Sequence, residues 1–253
     1  MELRAQLLPK LKTLRLSGVL ETLEVRNRQA IDEKCSYAEF LLKLVEDEVE
    51  RRGQKQLTLR MRRSRLDPMK TLETFDFSFN PSVNRKLIYD LATCPFVERS
   101  EPVFLLGPAG VGKSHLAQAL GHEAVRRGYD VHFTRASEML SHLHAGRADE
   151  SYARRLALYR TVDVLIIDDF GLKPMRPPAP EDLYEIIDGR YNKGGMILTS
   201  NRAFDEWPEL FDNSVLASAT LDRLAHGATQ VVIEGDSYRA KGPRPQKEVL
   251  LRK

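Results

Sequence analysis

The sequence predicts an α/β protein: a three-layer arrangement with a parallel sheet in the middle, preceded by a small all-helical segment. Three features predict it. From Pro102 onward, short apolar runs alternate with segments of helix length. The runs are continuously apolar rather than alternating, as strands covered on both faces are. Ahead of residue 68, apolar residues recur at helical spacing instead.

The first element is read from Leu3, Leu7, Leu8, Leu11 and Leu14, which share one helical face. The stretch "CSYAEFLLKLVEDEVERRG" gives a stronger helix. Ser36 with Glu39 forms a capping-box signal. Ala38, Leu41, Leu42, Val45 and Val49 make a stripe expected to face a core, and Gly53 is expected to end the helix. Arg51 to Arg65 then holds seven basic residues and no acid. Pro68 and Pro81 punctuate the next stretch, so the helical N-terminal domain is expected over 1–67 and the α/β domain over 68–240. Strands are expected at Val103–Leu106, Val131–Thr134, Val164–Ile167, Met196–Thr199 and Val231–Ile233. Residues 241–253 read as a basic, loosely held tail.

At 253 residues, 42% hydrophobic and 30% charged, the chain has room for one large domain and a small appendage. Its longest uncharged stretch, Pro102 to Gly112, is too short to span a bilayer. "MELRAQLLPKLK" is not expected to act as a signal peptide. Cys35 and Cys94 have neither metal spacing nor a disulfide framework, which points to the cytoplasm. Residues 1–70 hold 16 basic and 11 acidic groups, the remainder 23 and 25. The front segment is therefore the better candidate for a polyanion contact, a solvated helical surface being the plain alternative.

The first apolar run ends in "GPAGVGKS", which fits G-x-x-x-x-G-K-[ST]. Glycines there let backbone N–H groups turn toward phosphate oxygens, and the helix after them points its positive end at the same place. Lys113 would reach the β- and γ-phosphates and Ser114 would offer its hydroxyl to Mg²⁺. The expected ATP-binding set is Gly107, Pro108, Ala109, Gly110, Val111, Gly112, Lys113, Ser114 and His115. In "VLIIDDFG", Asp168 would hold Mg²⁺ through water and Asp169 would polarise the attacking water. The fourth run, Met196–Thr199, leads into Thr199, Ser200 and Asn201, a polar strand tip suited to orienting that water. Arg223 reads either as a surface ion pair or as an arginine finger supplied to a neighbour's nucleotide. Phe75 and Phe77 are either core residues or a wall for the base; Trp207 and Tyr184 read as packing residues. His142 and His144 show no ligand geometry.

Together "TLETFDF", "GPAGVGKSHLAQALG", "VLIIDDFG", "LTSNRAFDEW", "LASATLDRLAHG" and "EGDSYRAK" resemble AAA+ ATPases. More narrowly they resemble the DnaC/IstB group, over nearly the whole chain. The resemblance implies Walker A at Lys113 and Ser114, Walker B at Asp168 and Asp169, sensor 1 at Asn201 and the finger at Arg223. It also implies a truncated lid, with Arg239 as a weak substitute. Asp169 stands where most such proteins have Glu, one methylene longer, which implies slow turnover. By the same resemblance, the protein is an ATPase that assembles on duplex DNA as a homo-oligomer with intersubunit ATP sites. It would then recruit or activate a transposase encoded by the same element. The N-terminal segment would serve self-association or partner contact. Candidate DNA contacts are Arg154, Arg155, Lys173 and Arg176. The rival within the group is a loader that grips a replicative helicase and prefers single strands. A monomeric small-molecule kinase is a more distant rival.

Overall fold

The computed structural model describes residues 2–238; Arg239 and the expected tail lie outside the described residues. The chain divides into two units between Leu59 and Arg60, rather than after residue 67. The reason is local to the second unit. Leu66 is buried, its side chain 3.0 Å from where a Cβ on Gly121 would lie, and the Asp67 N–H donates to Gln118 at 2.8 Å. Residues 60–67 thus pack with the α/β unit.

The first unit is built from α1 (Glu2–Thr13), α2 (Ser17–Asp32) and most of α3 (Tyr37–Ser64). Ser36 and Glu39 do cap α3 reciprocally: the Ser36 N–H donates to Glu39 at 2.7 Å and the Glu39 N–H to Ser36 Oγ at 3.3 Å. A small core joins Leu11, Val19 and Leu44, with Leu20, Leu23 and Phe40 against it. The expected stripe on α3 is not that core. Leu41 and Val49 are 61% and 65% exposed, whereas Leu44 is 6% exposed. What selects the buried face is the approach of α2. A Cβ on Gly18 would lie 2.7 Å from the Glu48 Cα, so only glycine lets the two backbones come this close. Nor does Gly53 end α3, which runs on to Ser64. The Gln, Leu, Met and Arg residues beyond it are good helix formers, and one interior glycine costs only about 1 kcal/mol.

The second unit contains α4 (Arg85–Ala92), α5 (Pro95–Glu98), β1 (Pro102–Leu106), α6 (Lys113–Arg126), β2 (Val131–Arg135), α7 (Ala136–Ala148) and α8 (Tyr152–Thr161). β3 (Val164–Phe170), α9 (Ala179–Arg190), β4 (Gly195–Ser200), a 3₁₀ helix (Phe204–Leu210), α10 (Ser214–Ala225) and β5 (Thr229–Val232) complete it. The five strands stand in the order β2-β3-β4-β1-β5, all parallel. Helix α6 packs on the sheet with Leu116, Ala117, Leu120 and Ala124 buried. The core that contains Phe104, Leu165 and Leu198 continues into α7, α9 and α10 and includes the fully buried Trp207. This is the three-layer architecture expected. Among the described residues no α-helix comes after β5, and no helix is long and apolar enough to cross a membrane.

The order of the strands sets the site. β4 lies between β1 and β3, so the loops leaving these three strands emerge side by side. Since β1 crosses over to the far-edge β2, a crevice opens at the carboxyl ends, as open α/β sheets provide. The opposite ends are tied by Arg190, 1% exposed, which donates to the carbonyls of Tyr159, Val162, Asp163 and Gly195 at 2.7–3.2 Å. Burial brings its guanidinium down to about 10, still protonated at neutral pH.

One buried group gives the unit an acid limit. His132 on β2 lies edge-on to Tyr159, and its Nε2 has no hydrogen-bond partner among the described residues. Burial, with Arg65 and His142 adding repulsion, pushes the imidazole from 6.5 down to about 4. The unfolded chain therefore takes up a proton that the folded one refuses. Stability falls as pH drops from about 6.5 to about 4, by on the order of 3 kcal/mol from this group. His132→Phe should flatten that limb of a melting-temperature against pH profile; an unchanged acid limb would assign the loss to other groups.

Candidate functional site

The loop after β1 takes its shape from glycines. Gly107 and Gly112 have φ of 143° and 104°, a region L side chains avoid. Space demands glycine as well: a Cβ would lie 2.0 Å from the Ile233 oxygen at Gly107, and 2.7 Å from the Phe75 ring at Gly112. The loop is thus held between the segment after β5 and the segment before α4. The first of these is itself fixed, since the Ile233 N–H donates to Leu106 at 2.8 Å and the Tyr238 N–H to Gly110 at 3.0 Å. Asn80 Nδ2 and Ser82 Oγ both donate to the Glu234 oxygen, at 2.8 and 2.6 Å.

Helix α6 starts at Lys113, so its unsatisfied N–H groups face the loop. The buried Lys113 curls back, and Nζ donates to the Gly107 and Pro108 carbonyls at 2.7 and 2.6 Å. The ammonium is stored within the loop it would serve. Ser114, the next residue, is half-buried on the first turn.

A cavity of about 500 Å³ opens over this loop, within the range of nucleotide pockets. Ala109 to His115 line it; Asp169 and Asn201 enter from the ends of β3 and β4. Phe75, Asn80 and Tyr238 belong to the walls. Phe75 therefore faces the cavity, whereas Phe77 stacks on Tyr89 at 5.9 Å under the Arg85 guanidinium. His115 serves the wall too: Nε2 is 2.9 Å from the Thr71 oxygen and the ring lies edge-on to Phe75.

The two acids differ in setting. Asp168 is buried, and Oδ1 accepts from Thr199 Oγ1 at 2.5 Å. Asp169 has a φ of 57°, a left-handed conformation, at the irregularity in the β3–β4 pairing between Ile167 and Phe170. Its N–H donates to the same Thr199 oxygen at 3.0 Å, and its carboxylate is 4.0 Å from Arg135 Nε. Thr199 thus orients both acids through one hydroxyl. The donors present suit magnesium, a hard cation that takes hydroxyl, carboxylate and water oxygens. The residues that would hold it are Ser114 and Asp168.

Arg223 does not line this cavity. On α10 it donates through Nε to Asp188 at 3.0 Å and through Nη1 to the Ala219 oxygen at 2.8 Å, over the Tyr184 ring. Of the four candidate DNA contacts, Arg154, Lys173 and Arg176 are exposed. Arg155 is engaged internally, with Asp149 at 2.5 Å, the His142 oxygen at 2.7 Å and Ser151 at 2.7 Å. Sequence reasoning missed Asn80 and Tyr238 as site residues and gave Thr199 no role of its own. The signal for Thr199 was present: a hydroxyl in the polar tip of one strand, opposite paired acids at the end of another.

Known proteins resemble this chain over most of its length. The profile of the IstB-like ATP binding protein family matches residues 9–245. An insertion-sequence ATP-binding protein of Mycobacterium tuberculosis is 44% identical over 91% of this chain and 92% of its own. One of Pseudomonas aeruginosa is 41% identical over 94% and 89%. Among solved structures, the replication initiator DnaA bound to AMPPCP and single-stranded DNA matches with a TM-score of 0.58 and 26% identity. It covers 68% of this chain and 52% of that one. The DnaC helicase loader matches with a TM-score of 0.54 and 25% identity, over 65% and 96%. The fold is that of the AAA+ ATPases.

Thr199→Val should lower ATP turnover by ~10–100-fold, the usual cost of removing a group that orients ligands, with ATP affinity little changed. Thr199→Ser should recover most of it. If the valine variant turns over normally in a phosphate-release assay, Thr199 is not the orienting group.

Proposed function

This chain belongs to the IstB-like ATP-binding protein family, and from that premise we propose that it is an ATP-dependent helper for DNA transposition. It acts in the cytoplasm, assembles on duplex DNA, and recruits or activates the transposase of its own insertion sequence. The observation that carries the ATPase part is the meeting of three strand ends on one cavity. The glycine loop, Asp169 and Asn201 share that cavity, which supports a nucleotide site there. Kinship with insertion-sequence proteins supports the transposition part.

Each residue then has a task. The loop amides and the start of α6 receive the phosphates. Lys113 exchanges its two carbonyl partners for phosphate oxygens. Ser114 and Asp168 would hold a magnesium ion, which would supply positive charge to the phosphates. Asp169 accepts the proton of the attacking water, and Asn201 holds that water in line. The shorter Asp169 and its Arg135 neighbour suit slow turnover, so that hydrolysis times the life of an assembly. Arg223 leaves Asp188 for the γ-phosphate of a neighbouring protomer and stabilises the charge that develops there. Arg154, Lys173 and Arg176 supply backbone contacts to DNA without reading bases.

Likeness to the DnaC loader supports a second reading, in which the partner is a helicase and the nucleic acid single-stranded. Binding to a long duplex and to a matched single strand, each with ATP, ADP or no nucleotide, separates the two. Large duplex complexes by sedimentation, formed with ATP alone, are expected. Preference for the single strand would move the assignment to a loader, and no binding in any state would remove DNA from the function.

The finger makes its own prediction. Arg223→Ala should retain nucleotide binding yet lose about a thousandfold in turnover. Mixing it with Lys113→Ala protein should restore part of the activity, because each variant supplies what the other lacks. Mixtures as inert as the separate proteins would deny the residue a role across subunits.

A further inference from the structure

A cleft of about 470 Å³ opens in the helical unit, between the end of α1, the α1–α2 turn and the middle of α3. Five of the residues lining it are basic: Lys12, Arg15, Arg51, Arg52 and Lys55. Its one acid is Glu48. We propose that this cleft is a docking site for the phosphate backbone of duplex DNA. It would act in addition to the basic residues of the ATPase unit, and it rests on the reading that the protein binds duplex.

The cleft is held in shape by its own hydrogen bonds. Glu48 accepts from the Gly18 and Val19 N–H groups at 2.5 and 3.3 Å and from Arg52 Nε at 2.7 Å, so its charge is already satisfied. Arg51 donates to the Ser17 oxygen at 2.9 Å and pairs with Glu21. Arg52 Nη2 donates to the Arg15 oxygen at 3.2 Å. Three side chains of α3 thereby clamp the α1–α2 turn, where Arg15 sits at a φ of 56°. The clamp consumes Glu48, Arg51 and Arg52 and leaves the other three cations at the rim. Lys12, Arg15 and Lys55 are exposed, and among the described residues none has an ion pair.

Three like charges gathered on one rim repel each other, and an anion of several charges relieves them together. A nucleic-acid backbone is such an anion. It asks for Lys and Arg and for no particular base contact. An acidic protein segment is the less fitting occupant. Protein interfaces are anchored by buried aromatic groups, and no aromatic residue lines this cleft.

The test uses the full chain with a non-hydrolysable ATP analogue and a long fluorescein-labelled duplex of arbitrary sequence. Anisotropy gives the affinity across a salt series. Replacing Lys12, Arg15 and Lys55 together by Gln should reduce the salt slope by about 2–3, close to 0.9 for each phosphate no longer neutralised. Affinity at moderate salt should fall at least about tenfold, with melting temperature and ATP affinity unchanged. Lys12→Arg with Lys55→Arg should keep the wild-type slope. Lys55→Glu alone, at an exposed position with no hydrogen bond to lose, should also lower it, and decides the matter should the triple variant fold poorly. Wild-type binding with a slope indifferent to these changes would overturn the cleft and leave the wider DNA reading standing. Absence of duplex binding by the wild type in every nucleotide state would overturn both.

Discussion

The nucleotide site depends on the place of β4 between β1 and β3. Parallel pairing fixes neighbouring strands about 5 Å apart, and the register sets Leu106 beside Ser200 and Ile167 beside Leu198. The glycine loop and the paired acids are therefore separated by one strand, and that strand contributes the hydroxyl that bonds to both acids. Thr199 carries this arrangement from the backbone to the side chains. It accepts from one residue's amide and donates to the other's carboxylate. A shift of one residue in β4 would point this side chain to the opposite face of the sheet.

The helical unit obeys a different constraint. Its core is small, and what locks it is polar: Glu48, Arg51 and Arg52 holding the turn between two helices. Satisfying the turn by ionic side chains leaves a basic rim as a by-product of the packing. Three residues of α3 hold the turn, and the cations they do not engage, Lys12, Arg15 and Lys55, form the charged surface.

Motifs whose residues are consecutive were legible in the sequence. The glycine loop is marked by eight consecutive residues because its curl demands glycine at fixed places, although the segments that brace it lie outside that signature. The acid pair needs only the end of an apolar strand. Five strands of nearly the right extent could be read from continuous apolar runs, because burial on both faces leaves that mark. Features that depend on which surfaces meet were not legible. The period of Leu41, Val45 and Val49 was helical, as expected, yet periodicity does not say which face a neighbour covers; Gly18, distant in sequence, decided that. Likewise Asn80 and Tyr238 reach the pocket through hydrogen bonds between segments more than a hundred residues apart. Phe75 could be read two ways until Gly112 was seen to lie against its ring.

The close fit of Ile233 against Gly107 has a consequence for biogenesis. The loop is synthesised early, but the strand and segment that brace it come from the far end of the domain. During translation the loop sequence emerges well before its brace exists. A nascent chain in that interval lacks the surface that fixes the phosphate-binding curl. Any ligand that needs the braced loop would favour completed molecules over nascent ones by mass action.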